Sequence, residues 1–209
     1  MTKFNALLKA VLIMSILVVT GGCATSSAVR TQYDFGPLPS AISNPRSGAR
    51  ALPAVSLAEV VAPAGLDNTM MLYRLAYAND LQLRPYANSR WTMSPSQLFS
   101  QRLKARFGQA GGTVVSVSDG AINIPVLRIE MDDFSQTFDS ASHSVVQITL
   151  RAAIFNGRLL QGQKMFSRSA VAQTADAAGG ARAFSTASDA LIDDLMDWLA
   201  GLSPNKSRQ

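Results

Sequence analysis

The sequence predicts an α+β fold: a two-layer α/β sandwich whose mostly antiparallel sheet carries two main helices packed on one face. Three observations point there. Strict alternation of apolar and polar residues recurs over 127–133 and 145–155, the period of half-buried strands. A long apolar stripe at helical spacing closes the chain, and a second helix opens at Ser94-Pro95. Helices with one apolar stripe and a sheet with one apolar face bury each other as two layers.

The amino terminus comes first and reads as a targeting segment. Lys3 and Lys9 precede an apolar run, Ala10–Val19, and the small residues Thr20, Gly21 and Gly22. Basic, apolar and small residues in that order form a secretory signal. The run falls short of the roughly 20 apolar residues of a spanning helix. The sole cysteine follows, and Gly21-Gly22-Cys23 resembles the lipobox at which bacterial lipoproteins are cleaved and acylated, with Thr20 where Leu is usual. Residues 1–22 are therefore expected as a signal peptide and Cys23 as the lipid-attachment site. Acylation would consume the thiol that an exported chain would otherwise carry unpaired. Ala24, rather than Asp, after the cysteine favours the outer membrane, by resemblance to enterobacterial sorting. Residues 23–50, rich in Ser, Ala, Arg, Pro and Gly, read as a lipidated tether. Within it, Tyr33-Asp34-Phe35-Gly36-Pro37-Leu38-Pro39 could dock onto the domain as an extended segment. A single periplasmic domain is expected over 51–203, with a disordered tail at 204–209.

Within the domain, Leu52–Val61 is β-rich and stops at Pro63 and Gly65. Met70–Leu75 and Leu81–Tyr86 flank Ala78-Asn79-Asp80 as two strands of a hairpin. Ser94 reads as an N-cap and Pro95 as the first helical residue. Leu98, Arg102, Leu103 and Phe107 lie on or near one face of that helix, which Gly108 and Gly111-Gly112 end. Leu127, Ile129 and Met131 alternate with Arg128, Glu130 and Asp132, which places Asp133 on the buried side. Val146, Ile148, Leu150, Ala152 and Ile154 alternate with polar neighbours, and Asn156-Gly157 predicts a type I′ turn into a strand over 159–172. The last helix is expected from about Ala181 to Ala200. Phe184, Ala187, Leu191, Ile192, Leu195, Met196 and Leu199 form its stripe, with Asp189, Asp193 and Asp197 opposite.

Charge excludes some functions. The chain has 19 Lys+Arg and 14 Asp+Glu; without Lys3 and Lys9 the balance is 17 to 14, a mild and scattered excess. Neither a basic stripe nor interleaved aromatics is present, so no nucleic-acid partner is expected. Catalytic constellations are scarce. His143, the single histidine, sits among Ser140, Ser142 and Ser144 with Asp139 nearby, a pattern of a polar turn rather than of a triad. Glu130, Asp132 and Asp133 are too few oxygen ligands for calcium. Gly111-Gly112 follows a helix and lacks the Lys of a phosphate loop. No metal and no cofactor is expected, apart from covalent acyl chains on Cys23.

The distinctive stretch is Tyr73-Arg74, Gln82-Leu83, Tyr86 and Arg90-Trp91, followed by the Pro-started helix. With Tyr33-Asp34-Phe35, Phe134-Ser135-Gln136-Thr137-Phe138-Asp139 and the closing Asp197-Trp198-Leu199, this order resembles the ABC-type transport auxiliary lipoprotein family. That family includes the outer-membrane lipoprotein of paraquat-inducible intermembrane transport systems. The resemblance implies a non-enzymatic accessory subunit, lipid-anchored on the periplasmic face of the outer membrane, in a system moving lipids between the two membranes. It implies as partners an inner-membrane permease, its ATPase and a substrate-binding protein of the mammalian-cell-entry (MCE) type; a homo-oligomer is compatible with it. Arg74, Arg90 and Trp91 are the candidate partner contacts, since aromatic and Arg residues concentrate interface energy. Two alternatives are a lipoprotein regulating another envelope machine, either a cell-wall synthase or lipopolysaccharide assembly, and an envelope hydrolase using Ser and His143.

Overall fold

Two alternating segments build the centre of the sheet. In the computed structural model, which describes residues 29–39 and 52–202, β6 (Val126–Phe138) and β7 (Ser144–Asn156) pair antiparallel along their whole length. Residues 1–28, 40–51 and 203–209, which include the expected signal peptide, Cys23 and the tail, lie outside the described residues. The far side of β7 pairs antiparallel with β8 (Leu159–Val171). The other edge of β6 is shared. Near its start it pairs parallel with β2 (Val55–Leu57), which continues parallel into β5 (Val114–Ser116). Near its end it pairs parallel with β3 (Met70–Leu75), which forms an antiparallel hairpin with β4 (Asn79–Trp91). The short β1 (Thr31–Tyr33) runs parallel to the last residues of β4. The described strands thus form one mixed, mostly antiparallel eight-stranded sheet, and two helices pack against it.

A bulge in β6 changes which residues face inward. Leu127, Ile129 and Met131 are buried, and unbroken alternation would send Asp133 in and Phe134 out. The register shifts between Met131 and Asp133, so that Asp132 is the extra residue, Asp133 opposes Thr149 and Phe134 opposes the buried Ile148. Asp133 therefore stands on the open face, not the buried one. Inserting one residue reverses the phase of everything after it.

The hairpin between β7 and β8 also departs from expectation. Asn156 pairs with Leu159, so the loop is Gly157-Arg158, and only Gly157 has positive φ, at 58°. A type I′ turn needs two left-handed residues; glycine first in the loop is the type II′ preference. The β3–β4 hairpin turns at Ala76–Ala78, and β4 runs on to Trp91 instead of stopping at Tyr86.

Helix α1 (Pro95–Gln109) starts as its sequence indicates: Gln97 Oε1 accepts a hydrogen bond from the Ser94 N–H at 3.3 Å, and Pro95 occupies the first turn. Leu98, Phe99, Leu103 and Phe107 are buried. Helix α2 (Ala177–Leu202) begins four residues before Ala181. Asp176 caps it, accepting from the Gly179 N–H at 2.7 Å. The pair Gly179-Gly180 reads as a helix breaker, yet a Cβ on either would collide with Thr174 or with Gln136. Close packing, not chain reversal, explains these glycines.

Candidate functional site

The hairpin residues singled out by the sequence fall into three environments. Trp91 is 2% exposed and belongs to the core, so it is withdrawn as a partner contact. Its ring meets Phe134 and Phe184 edge-on at 5.7 and 5.6 Å, while those two stack at 4.0 Å. Each such pair contributes about 0.5–1.5 kcal/mol beyond area burial. Arg90 is half-buried, and its Nη1 donates to the carbonyls of Tyr86 and Ser89. It holds the backbone where β4 leaves register with β3, between Pro85 and Arg90. Arg74 is also half-buried, donates to the Asp80 carbonyl at 3.2 Å and lies on the open face of the sheet, with Thr137 and Val145. Arg74 thus gives one hydrogen bond to the backbone of the neighbouring strand, where Arg90 gives two to its own strand.

The aromatics of the same motif serve a buried polar centre. Tyr73 and Tyr86 pack at 4.6 Å, and Tyr73 meets Phe138 edge-on. Tyr86 donates its hydroxyl to Gln136 Oε1 at 3.0 Å. The Gln136 amide nitrogen donates to Ser144 Oγ at 2.8 Å and to the Asp176 carbonyl at 3.2 Å. Gln136 is wholly buried, and this set satisfies it while joining β4, β6, β7 and the cap of α2. Burial, then the neighbouring Tyr73 and Asp176, push the Tyr86 phenol far above its ordinary range, so it acts as a fixed donor. Burial also raises the Asp133 carboxyl, against the opposing pull of Ser135, Arg74 and the Phe134 N–H.

The amino-terminal segment expected in a tether is part of the fold. The Thr92 N–H donates to the Tyr33 carbonyl, Ser185 Oγ to the Phe35 carbonyl at 2.7 Å, and Arg102 Nη1 to the Gly36 carbonyl at 3.0 Å. The Phe35 ring inserts beside Trp91 and Phe134. Both helices contribute to this seat, through Arg102 of α1 and Ser185 of α2. Arg102 also makes a bidentate pair with Asp189, with both contacts at 2.7 Å; side-chain exposures are 5% and 17%. Arg106 reaches Asp189 and Asp193. Asp189 and Asp193 thus face α1 rather than solvent, and Asp194 pairs with Arg168 of β8. Only Asp197 of the four helix carboxylates keeps the exposed position expected of it. A charged residue on the otherwise apolar face of α1 was the one signal in the sequence that could have located this pair.

The His143 region brings together less than a catalytic site needs. His143 Nδ1 and Asp139 Oδ2 approach to 2.7 Å, in a loop where their side chains are 46% and 62% exposed. Ser144 Oγ is already engaged by Gln136, so this serine is a structural acceptor rather than a nucleophile. Glu130 and Asp132 both pair with Arg151 across the open face. Among the described residues no group of three or more His, Cys, Asp or Glu is arranged to hold a metal. No helix there is long and apolar enough to cross a membrane. The buried polar contacts described above hold elements together or seat the amino-terminal segment.

The fold has solved relatives. A protein of Xanthomonas campestris superposes with a TM-score of 0.70 at 18% identity, over 86% of this chain and 99% of that one. An uncharacterised protein superposes with a TM-score of 0.65 at 14% identity, over 82% of this chain and 99% of that one. At such identities the likeness is one of fold. No curated protein sequence matches the chain significantly. Residues 33–196, from the docked Tyr33 through β8 and most of α2, match the family described as the ABC-type transport auxiliary lipoprotein component. The chain belongs to that family.

Proposed function

We propose that this protein is a lipid-anchored accessory subunit of an ABC system that moves lipids between the inner and outer membranes. It would be held at the periplasmic face of the outer membrane by acyl chains on Cys23. In this reading it catalyses no reaction and joins its partners through a protein surface. Those partners are an MCE-type substrate-binding protein, the inner-membrane permease and its ATPase. The family match over 33–196 carries the reading, because it spans nearly the whole described fold. The lipobox-like Gly21-Gly22-Cys23 supports the anchor, and the polar contacts described above serve packing rather than catalysis.

Arg74 is the residue through which we expect contact, since Trp91 is buried and Arg90 is engaged by its own strand. Isolation of the full-length protein in mild detergent, expressed from its own promoter, should recover an MCE-type protein. Arg74→Glu should reduce that recovery several-fold while leaving the amount of folded protein unchanged. Recovery of cell-wall synthases or lipopolysaccharide-assembly proteins instead would overturn the transport reading. Equal recovery with Arg74→Glu would reject Arg74 alone.

A further inference from the structure

The turn end of the β3–β4 hairpin holds an apolar side chain outward. Arg74 pairs with Leu83 and Leu75 with Asn79, so Asp80, Leu81 and Gln82 are extra residues on β4. Leu81, the middle one, is 87% exposed, and Tyr77 in the turn is 54% exposed. Three hydrogen bonds brace this bulge. Asn79 Oδ1 accepts from the Leu81 N–H at 3.1 Å, Arg74 Nη1 donates to the Asp80 carbonyl, and Arg84 Nε donates to Gln82 Oε1 at 3.0 Å. Bulges re-aim side chains, and here the re-aimed one is a leucine with a guanidinium on either side in sequence.

A lone exposed leucine is ordinary on a protein surface. The place of this one relative to Cys23 sets it apart. β4 runs away from the turn and β1 runs parallel to it, so the chain enters β1 from the turn side. Thr31 lies beside Ser89, next to the Arg90 that faces Met70, while Leu75 and Asn79 close the hairpin. Thr31 is thus about four residues, roughly 13 Å, from the turn along the strands. Another exposed apolar turn joins β7 to β8, where Leu159 is 67% exposed. It stands at the far end of the sheet, about eight residues, roughly 26 Å, from the level of Thr31. The chain from Cys23 to Thr31, treated as a coil, has a typical span of roughly 15 Å. That span suits a bilayer at the β3–β4 turn. A bilayer at the β7–β8 turn would stretch the same chain close to its limit of roughly 26–29 Å.

We propose that the β3–β4 turn is a second membrane contact, with Leu81 and Tyr77 entering the lipid interface beside the acylated Cys23. Tyrosine suits that layer, its ring apolar and its hydroxyl wet. Arg74 and Arg84 outnumber Asp80 in this segment, and the neighbouring Asp139 is engaged with His143, so the turn suits phosphate head groups. An acyl anchor limits distance but not orientation. A second contact would set the strands upright and turn the β7–β8 hairpin and the carboxyl end of α2, where Leu202 meets Gly162, away from the bilayer. The proposal rests on the anchor at Cys23 and on neither the cargo nor the transport partners.

Depth-dependent quenching in the acylated protein tests this, after reconstitution into vesicles of phosphatidylethanolamine and phosphatidylglycerol. Acylation occupies the sole cysteine, so Leu81→Cys and Leu159→Cys each offer one free thiol for a nitrobenzoxadiazole dye. The dye is the same at both positions, so its own affinity for lipid cancels. Side chains of an interfacial contact sit about 5–10 Å deep, and spin-labelled lipids should quench the dye about twofold more at 81 than at 159. Tyr77→Cys should be quenched as well, and adding Leu81→Asp should remove about half of that quenching with an unchanged urea midpoint. Quenching at 159 equal to or above that at 81 would overturn the proposal. So would quenching at Tyr77→Cys that ignores Leu81→Asp. Dye attached to Cys23 of the unaltered chain would show that the cysteine is not acylated, which would overturn the anchor and the proposal with it.

Discussion

Arg102 takes a full charge into the space between two helices and the sheet, and all its visible contacts are with groups that fix the fold. Its bidentate contact with Asp189 is nearly out of solvent. Breaking such a pair by removing one member costs about 3–5 kcal/mol, because the other charge stays buried alone. Asp189→Ala should therefore destabilise the protein by about that amount in a urea melt, whereas Asp197→Ala, a surface change, should stay within about 0.5 kcal/mol. Equal losses would mean that the helix presents a different face to α1. The sequence offered Arg102 as a member of the apolar face but not its partner. Asp189, Asp193 and Asp197 recur every four residues, and periodicity alone assigns all three to solvent. Only the approach of α1 divides them. Trp91 shows the converse: an aromatic beside an Arg reads as an interface pair, yet four rings from four separate segments close around each other, and no local pattern announces that.

Elements were legible where a local rule decides them and opaque where distant chain does. The long strands β6 and β7, the start of α1 and the stripe of α2 follow from alternation, Ser94-Pro95 and helical spacing. Strand β2 falls within the β-rich Leu52–Val61 run, whereas β1 and β5, three residues each, exist through parallel pairing with distant segments, which leaves little trace in their own composition. The bulge at Asp132 has no sequence signature, and it moved Asp133 to the other face. Helix α2 starts four residues before the expected Ala181, because Asp176 caps it and its two glycines serve close packing. Asp176 makes a testable point at this scale. Hydrogen bonds from the Gly179 N–H, then from Thr174, hold its carboxyl below its ordinary pKa. A depressed folded value means stability that is present above the unfolded pKa, about 3.9, and lost as pH falls through the folded one. Asp176→Ala should thus cost about 0.5–2 kcal/mol at neutral pH. The gap between variant and parent should narrow in urea melts taken at successively lower pH, down through the depressed pKa. A gap independent of pH would show that the carboxylate does not cap the helix.

At the scale of the whole molecule, the docked segment changes how the fold meets a membrane. Residues 23–50 treated as one coil would let the domain stand off by roughly 30 Å. With Thr31–Tyr33 in the sheet and Phe35 in the core, only seven residues, 24–30, separate Cys23 from the folded part. Fully extended, the eight Cα-to-Cα steps from Cys23 to Thr31 reach roughly 26–29 Å, and a relaxed chain covers much less. An acylated Cys23 would therefore hold the domain near the bilayer surface, with its orientation restricted by the short leash. Anchor and fold should nevertheless be separable, because among the described residues the contacts that seat the amino-terminal segment begin at Thr31. Cys23→Ser should abolish incorporation of a labelled fatty acid. It should leave either an uncleaved precursor or a protein that no longer fractionates firmly with membranes. The urea midpoint of the purified variant should match that of the parent, since the seat of Phe35 and the Arg102–Asp189 pair are untouched. Label retained on Cys23→Ser would refute the attachment site. A large fall in the midpoint would show that the residues before Thr31 contribute to the fold, and the leash would then be shorter still.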